Sequence, residues 1–587
     1  MRKNIGSWIL GGVLTLVTNA CFAIDPSEVD SVVDRALVAF DVPGAAIGIV
    51  IDGKVVLAKG YGVRDVANNL PVSEHTLFAI GSCTKAFTTF ALGQLVDEGK
   101  ISWDDPVIKY LPTFRLNDLH ATHHVTIRDL VTHRSGLPRH DLAWYGSQSS
   151  RAELIKSLEY LEPVHDLREK FYYNNFMYAV AGVVIEQVTG LSWEEVIKSR
   201  IFTVLGMDDS NTSVEDSQKS DDFSLPYCTK NKTIQKIPFR AISSMGPAGS
   251  INASILDMTH WLEVQLSGGV FQGVSLIKKN TLQEMHSLQM AFSTFPVDLV
   301  YNTGYGLGWM VGMHKGHYLV SHGGGIDGFI SNVALLPQEK MGVVILTNNG
   351  TRGGAFVSSL TKAIFDKLLK VESEDWIDQE QKILEEVEAS LLKGKEENTT
   401  SSSEVPFPSD YVGQYEHPGY GLIQVFLKGN TLKVKFNSWV MKLNHKTHDL
   451  FTLVSEDIAT EDLGFSGSFL RNFSGDIVEL QIPFEASVAP IRFIRKVSNE
   501  LLSVDYLKQF EGVFEGEGIS VEIALRGPLL VATFKGGGSV ELSPNKLFQF
   551  TLKGIVGSHI CFIADTNGKF SEFVLTQPNI VMSFKSK

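Results

Sequence analysis

Cysteine is scarce in this chain. Its 587 residues hold 4, namely Cys21, Cys83, Cys228 and Cys561, too few and too scattered for a disulfide framework or a zinc site. No His, Cys, Asp or Glu cluster has metal-ligand spacing, so neither a metal nor another cofactor is expected. A basic excess is also lacking. The 52 Lys and Arg are outnumbered by 66 Asp and Glu, giving a net charge of −14. Nothing is left over to neutralise phosphates, which excludes nucleic acid as a partner. Beyond the N-terminus no run of about 20 apolar residues occurs, so no transmembrane span is expected in the mature chain.

What the sequence does contain begins with a secretory pattern. Arg2 and Lys3 supply a positive end, residues 5–17 are mostly apolar, and Ala20-Cys21-Phe22-Ala23 offers a small residue for cleavage after Ala23. Residues 1–23 therefore read as a signal peptide, and the mature protein as periplasmic or extracellular. Lipid attachment at Cys21 and an uncleaved anchor are the alternatives. In the remainder Cys83 reads as a small buried helix residue.

Hydrophobic content of 44% and charged content of 20% describe a globular chain, long enough for about two to four domains. Residues 45–51 and 54–58 flank Asp52-Gly53, which predicts a β-hairpin. A helical, loop-rich stretch follows to about residue 265. Strand patterns return at 317–320, 331–336 and 342–346, and a helix is expected over 355–369. Strands at both ends with helices between predict one α/β (α+β) domain, residues 24–371, whose sheet joins its two ends. Residues 372–408 form an acidic, helix-prone stretch and a linker rich in Ser and Thr. Beyond it lie two similar β-rich segments, 409–497 and 498–587. Tyr411-Val412-Gly413-Gln414-Tyr415 matches Phe510-Glu511-Gly512-Val513-Phe514, and Leu450-Phe451-Thr452-Leu453 matches Leu547-Phe548-Gln549-Phe550. Each segment is expected to form a small antiparallel barrel or sandwich.

The chemistry centres on Ser82-Cys83-Thr84-Lys85. On a helix Ser82 and Lys85 share one face, and a serine near a helix N-terminus with an amine beside it suits a nucleophile. Alone this singles out nothing, because Ser-x-x-Lys recurs at Ser275–Lys278, Ser359–Lys362 and Ser543–Lys546. Two further elements distinguish the first copy. One is Tyr172-Tyr173-Asn174-Asn175, leading into a helical run. The other is Ser321-His322-Gly323-Gly324-Gly325, at the end of a strand.

Together and in this order these elements resemble the serine β-lactamase and penicillin-binding-protein family. The branch is that of class C β-lactamases, D-alanyl-D-alanine carboxypeptidases, D-aminopeptidases and related esterases. The likeness covers roughly residues 28–370. It includes the Thr126–Pro138 stretch, Pro247-Ala248-Gly249-Ser250-Ile251 and Tyr305-Gly306-Leu307-Gly308-Trp309. Two registers, Tyr172-x-Asn174 and Tyr173-x-Asn175, are available, and counting back from Gly182-Val183-Val184-Ile185-Glu186 favours the second.

The resemblance implies a serine hydrolase. Ser82 would form an acyl-enzyme, Lys85 and Tyr173 would relay its proton, and Asn175 would hold Lys85 and the substrate amide. The N–H groups of Ser82 and Gly325 would make an oxyanion hole, with His322 and Gly324 also on the substrate side. His322 stands where much of the family has lysine. A neutral imidazole there weakens the case for a substrate carboxylate and leaves aminopeptidase, esterase or other amide-hydrolase activity open. The expected partner is a small-molecule or peptide-like substrate, with D-amino-acid types favoured. The alternative is a non-catalytic penicillin- or peptidoglycan-binding scaffold. In some D-aminopeptidases of the family two C-terminal barrels follow, which raises the expectation that a module loop lines the cleft. His133 and His140 read as structural or surface histidines.

Overall fold

The computed structural model describes residues 25–292, 300–398, 407–456, 464–473, 475–566 and 568–587. The secretory pattern, its cleavage point, Cys21 and part of the linker lie outside them.

Helix α1 (Pro26–Ala39) opens on Asp25, whose carboxylate accepts from Ser27 N at 2.9 Å, with Pro26 in the first turn. Strand β1 (Gly44–Ile51) follows and turns at Asp52-Gly53 into β2 (Lys54–Asp65). Both turn residues have positive φ, 48° and 72°, the backbone shape that matches the twist of a tight hairpin. A short β3 (Leu70–Pro71) completes this edge.

The remaining strands come from the far end of the domain: β4 (Met290–Ala291), β5 (Val300–Tyr305), β6 (Met310–His314), β7 (His317–Ile326), β8 (Phe329–Leu336) and β9 (Met341–Thr347). Nine strands make one sheet in the order β4-β5-β6-β7-β8-β9-β1-β2-β3. All its pairings are antiparallel, and β1 pairs with β9 from Ala45↔Thr347 to Ile51↔Met341. The sheet therefore joins both ends of the domain, as the strand patterns predict.

Strand β1 is buried throughout, because alternate side chains enter different cores. Ala45, Ile47, Ile49 and Ile51 pack with α1 and α5 (Gly353–Leu369). Ala46 and Val50 face the larger cluster, which holds α2 (Thr84–Asp97), α3 (Phe176–Thr189) and α4 (Ile255–Leu266). Helix α6 (Trp376–Asn398) then carries the acidic stretch. Among the described residues no single helix is long and apolar enough to cross a membrane.

Each repeat closes into an eight-stranded antiparallel barrel, the first from Gly413 to Lys496 and the second from Gly512 to Ser586. Inward and outward positions alternate, as along Trp439–Thr447. The first barrel shares one apolar cluster with the α/β domain, whereas the second has a core of its own.

Candidate active site

Ser82 lies in a short turn, Gly81–Cys83, that runs directly into α2. The turn is pressed against the end of β7. Gly81 has φ 48°, and a Cβ on it would lie 2.7 Å from Gly325 N; a Cβ on Gly324 would lie 2.0 Å from Ile80 O. Only glycine allows the two backbones to meet this closely. Cys83 is buried, and its thiol donates to His322 O at 3.0 Å. It thus tacks the turn to the strand.

Lys85 is fully buried one helical step from Ser82. Its Nζ stands 2.9 Å from Ser82 Oγ, 2.8 Å from Asn175 Oδ1 and 2.8 Å from Ala248 O. Burial holds its amine well below its ordinary value, against the opposing pull of Asp141. Two of the three partners can only accept, and the third is a hydroxyl. Nζ can donate to all three as an ammonium, and as the neutral amine that burial favours it can still donate to the two carbonyl oxygens and offer its lone pair to the Ser82 hydroxyl.

Burial raises the Tyr173 phenol above its ordinary value, a rise that the neighbouring Ser82 hydroxyl partly offsets. The Tyr173 ring centroid is 4.9 Å from Lys85 Nζ and 4.2 Å from the His133 ring. Of the two tyrosine–asparagine registers, Tyr173 and Asn175 are the pair beside Lys85. Tyr172 packs instead against the His165 ring at 5.4 Å, and Asn174 caps α3 by accepting from Met177 N at 3.0 Å. His133 and His140 are both buried, at 0% and 1% exposure, so the surface reading does not hold for either. His133 Nδ1 accepts from Asn174 N at 3.0 Å.

The cavity that Ser82 faces has a volume of about 400 Å³, and Asn175 and Gly325 are on its wall. His322 and Gly324, expected as substrate contacts, are not. His322 is 2% exposed; its Nδ1 donates to Gly323 O at 2.7 Å and its Nε2 accepts from the Tyr305 hydroxyl at 2.8 Å. Both ring nitrogens are occupied, and burial pushes the imidazole down to about 3. It is a neutral support under the strand. Gly324 faces Ile80 and Ser331. Among the described residues none from a barrel is on the cavity wall, where a module loop is expected.

The structure adds groups that spacing does not reveal. Arg139, Asp141, Trp144, Tyr145 and Asp327 also line the cavity. Asp141 Oδ1 accepts from Asn175 Nδ2 at 2.9 Å, and its Oδ2 accepts from Arg139 Nε at 2.6 Å. Arg240 Nη1 donates to Asp327 Oδ1 at 3.0 Å, and the Tyr145 hydroxyl bonds the same carboxylate. The sequence motifs around Ala248 and Tyr305 mark the right places: one supplies the carbonyl that holds Lys85, the other the hydroxyl that holds His322. Among the described residues no group of three or more His, Cys, Asp or Glu could hold a metal ion.

The β-lactamase family model matches residues 29–363, and a model described as a domain of unknown function, DUF3471, matches residues 395–495. An unguisins hydrolase of Aspergillus campestris is 29% identical over 422 residues, covering 68% of this chain and 77% of that protein. Protein flp of Staphylococcus aureus is 29% identical over 328 residues, covering 55% of this chain and 62% of its own. Among solved structures, the octameric penicillin-binding protein homologue from Pyrococcus abyssi covers 80% of this chain and 100% of its own, with a TM-score of 0.53 and 24% identity.

Proposed function

Since the chain belongs to the β-lactamase family and is a serine hydrolase, we propose that it cleaves an amide or ester through an acyl-enzyme on Ser82, with peptide or D-amino-acid-type substrates favoured. The observation that carries this reading is the buried Lys85 amine, 2.9 Å from Ser82 Oγ and otherwise bonded only to two carbonyl oxygens.

In the proposed course Ser82 Oγ attacks the substrate carbonyl while its proton passes to Lys85 Nζ. The negative charge that develops on the carbonyl oxygen is received by the N–H groups of Ser82 and Gly325, each such donor being worth about 3 kcal/mol. The bond to the leaving group then breaks. The leaving atom takes the Tyr173 proton, and Tyr173 regains one from Lys85. Water reverses the sequence and frees the acid. Lys85 is the base in this scheme because burial favours its neutral form, whereas burial keeps Tyr173 a phenol rather than a phenolate. Asn175 orients Lys85 and offers its amide toward the cavity.

We further propose export across the inner membrane, on the strength of the pattern from Arg2 to Ala23. A reactive fluorophosphonate tests the central claim. The wild-type chain should be labelled and Ser82→Ala should not. Absence of label on both supports a scaffold. Turnover of D-amino-acid amides, short acyl esters and a chromogenic cephalosporin then sorts the substrate class.

A further inference from the structure

We propose that the first barrel is a brace for the substrate-facing loop 139–146, which assigns a role to the domain of unknown function. The inference rests on the hydrolase reading above. The loop supplies Arg139, Asp141, Leu142, Trp144 and Tyr145 to the cavity wall. Its own structure is slight, a single turn at Asp141–Ala143. It enters that turn through His140 at φ 45°, a left-handed conformation that a non-glycine residue holds only when its surroundings impose it.

The barrel supplies much of that constraint. The His140 backbone N–H donates to Glu485 Oε2 at 3.0 Å. Its Nε2 donates to Glu162 O at 3.0 Å, which leaves Nδ1 to accept from the Tyr420 hydroxyl at 2.7 Å. Farther along, Asn437 lies in the two-residue turn between the strands Thr431–Phe436 and Trp439–Thr447. Its amide donates to Leu142 O at 3.0 Å and to Tyr145 O at 3.1 Å. Trp439 packs on the Tyr145 ring with centroids 5.6 Å apart. Trp144 and Leu161 share one apolar cluster with Tyr420, Phe436 and Trp439.

Among the described residues the barrel therefore touches the loop from behind and does not line the cavity. The loop in turn reaches the nucleophile. Asp141 accepts from Asn175 at 2.9 Å, and Asn175 accepts from Lys85 at 2.8 Å. Tyr420, Glu485 and Asn437 are positioning residues in this arrangement. Their loss moves the wall that meets the substrate more than the Ser82–Lys85 pair.

A matched pair of variants in the full chain provides the test. Tyr420→Phe removes the hydroxyl that holds His140. Tyr415→Phe removes a hydroxyl of the same barrel that bonds only within it, to Tyr411 O at 2.9 Å. With p-nitrophenyl butyrate as substrate, Tyr420→Phe should raise KM about fivefold with little change in kcat, as expected for one lost hydrogen bond. It should also speed hydrogen–deuterium exchange across residues 139–146. Tyr415→Phe should do neither. Asn437→Ala should act like Tyr420→Phe, and carries the test if that variant does not fold. If KM and loop exchange stay unchanged while fluorophosphonate still labels Ser82, the brace is wrong and the hydrolase reading stands. The same holds if both tyrosine variants behave alike. If the wild-type chain is neither labelled nor active on the ester, both proposals fall together.

Discussion

Asn175→Asp tests the assignment of Lys85 as base. The substitution keeps the shape of residue 175 and changes its charge. It places a carboxylate oxygen where Asn175 Oδ1 now stands, 2.8 Å from Lys85 Nζ. At an effective dielectric of ~20 the attraction between unit charges at that distance is about 6 kcal/mol. Asp141 opposes the new charge, because its Oδ1 lies 2.9 Å from Asn175 Nδ2 and the hydrogen bond between them is lost. Taking roughly half the attraction as surviving leaves about 3 kcal/mol, or about two pH units on Lys85. The sign is upward, since a neighbouring anion favours the protonated amine. The acid limb of kcat/KM then moves alkaline by about two units, and on the acid side of that limb the neutral fraction of Lys85 falls about 100-fold. Labelling rates of Ser82 by a fluorophosphonate between pH 6 and 10 follow the same limb without a natural substrate. If labelling falls equally at every pH, with the limb unmoved, Lys85 is not the titrating base.

Three further outcomes are expected. Tyr173→Phe should lower kcat by about 10²–10⁴, the range for a lost proton-transfer group, with KM little changed in steady-state assays. Acid should destabilise the catalytic domain. His322 and His286 are pushed down to about 3 and about 4, and His133 also lies well below 6.5. Because the unfolded chain takes up these protons first, each histidine removes about 1.4 kcal/mol per unit as pH falls below 6.5. Asp257, raised to about 6, takes up its own proton in the folded state and offsets one histidine's share below that pH. Calorimetry from pH 7 to 5 should show Tm falling, and a flat profile would count against the buried neutral histidines. A chain ending at Lys496 loses only the separately cored second barrel and should keep wild-type kcat/KM on p-nitrophenyl butyrate; a large drop would mean that this barrel also supports the site.

Local spacing made the nucleophile legible. Ser82 and Lys85 are one helical step apart, and Tyr173 and Asn175 sit at the start of a helix, so their approach needs only two elements to pack. The hairpin at Asp52-Gly53 and the repeated barrels were equally readable, because turn chemistry and alternation are local. His322 was harder to place. Its motif position points to the substrate, but its burial depends on the Tyr305 hydroxyl reaching it from β5, two strands along the sheet. Arg139, Asp141 and Tyr145 come from an irregular loop with no periodicity to read. Their placement follows from contacts with Tyr420, Asn437 and Glu485, about 280 to 345 residues farther on.

The pairing of β1 with β9 has a consequence for synthesis. Ile51 meets Met341 across the sheet, so 290 residues must be made between one edge and its partner. At about 5–20 residues per second that interval is roughly 15–60 s. Throughout it the apolar strand Gly44–Ile51 has β2 on one side and no neighbour on the other. A ribosome-bound chain of this length exposes an unpaired strand edge, which suits it to capture by a chaperone or an export factor before it can close.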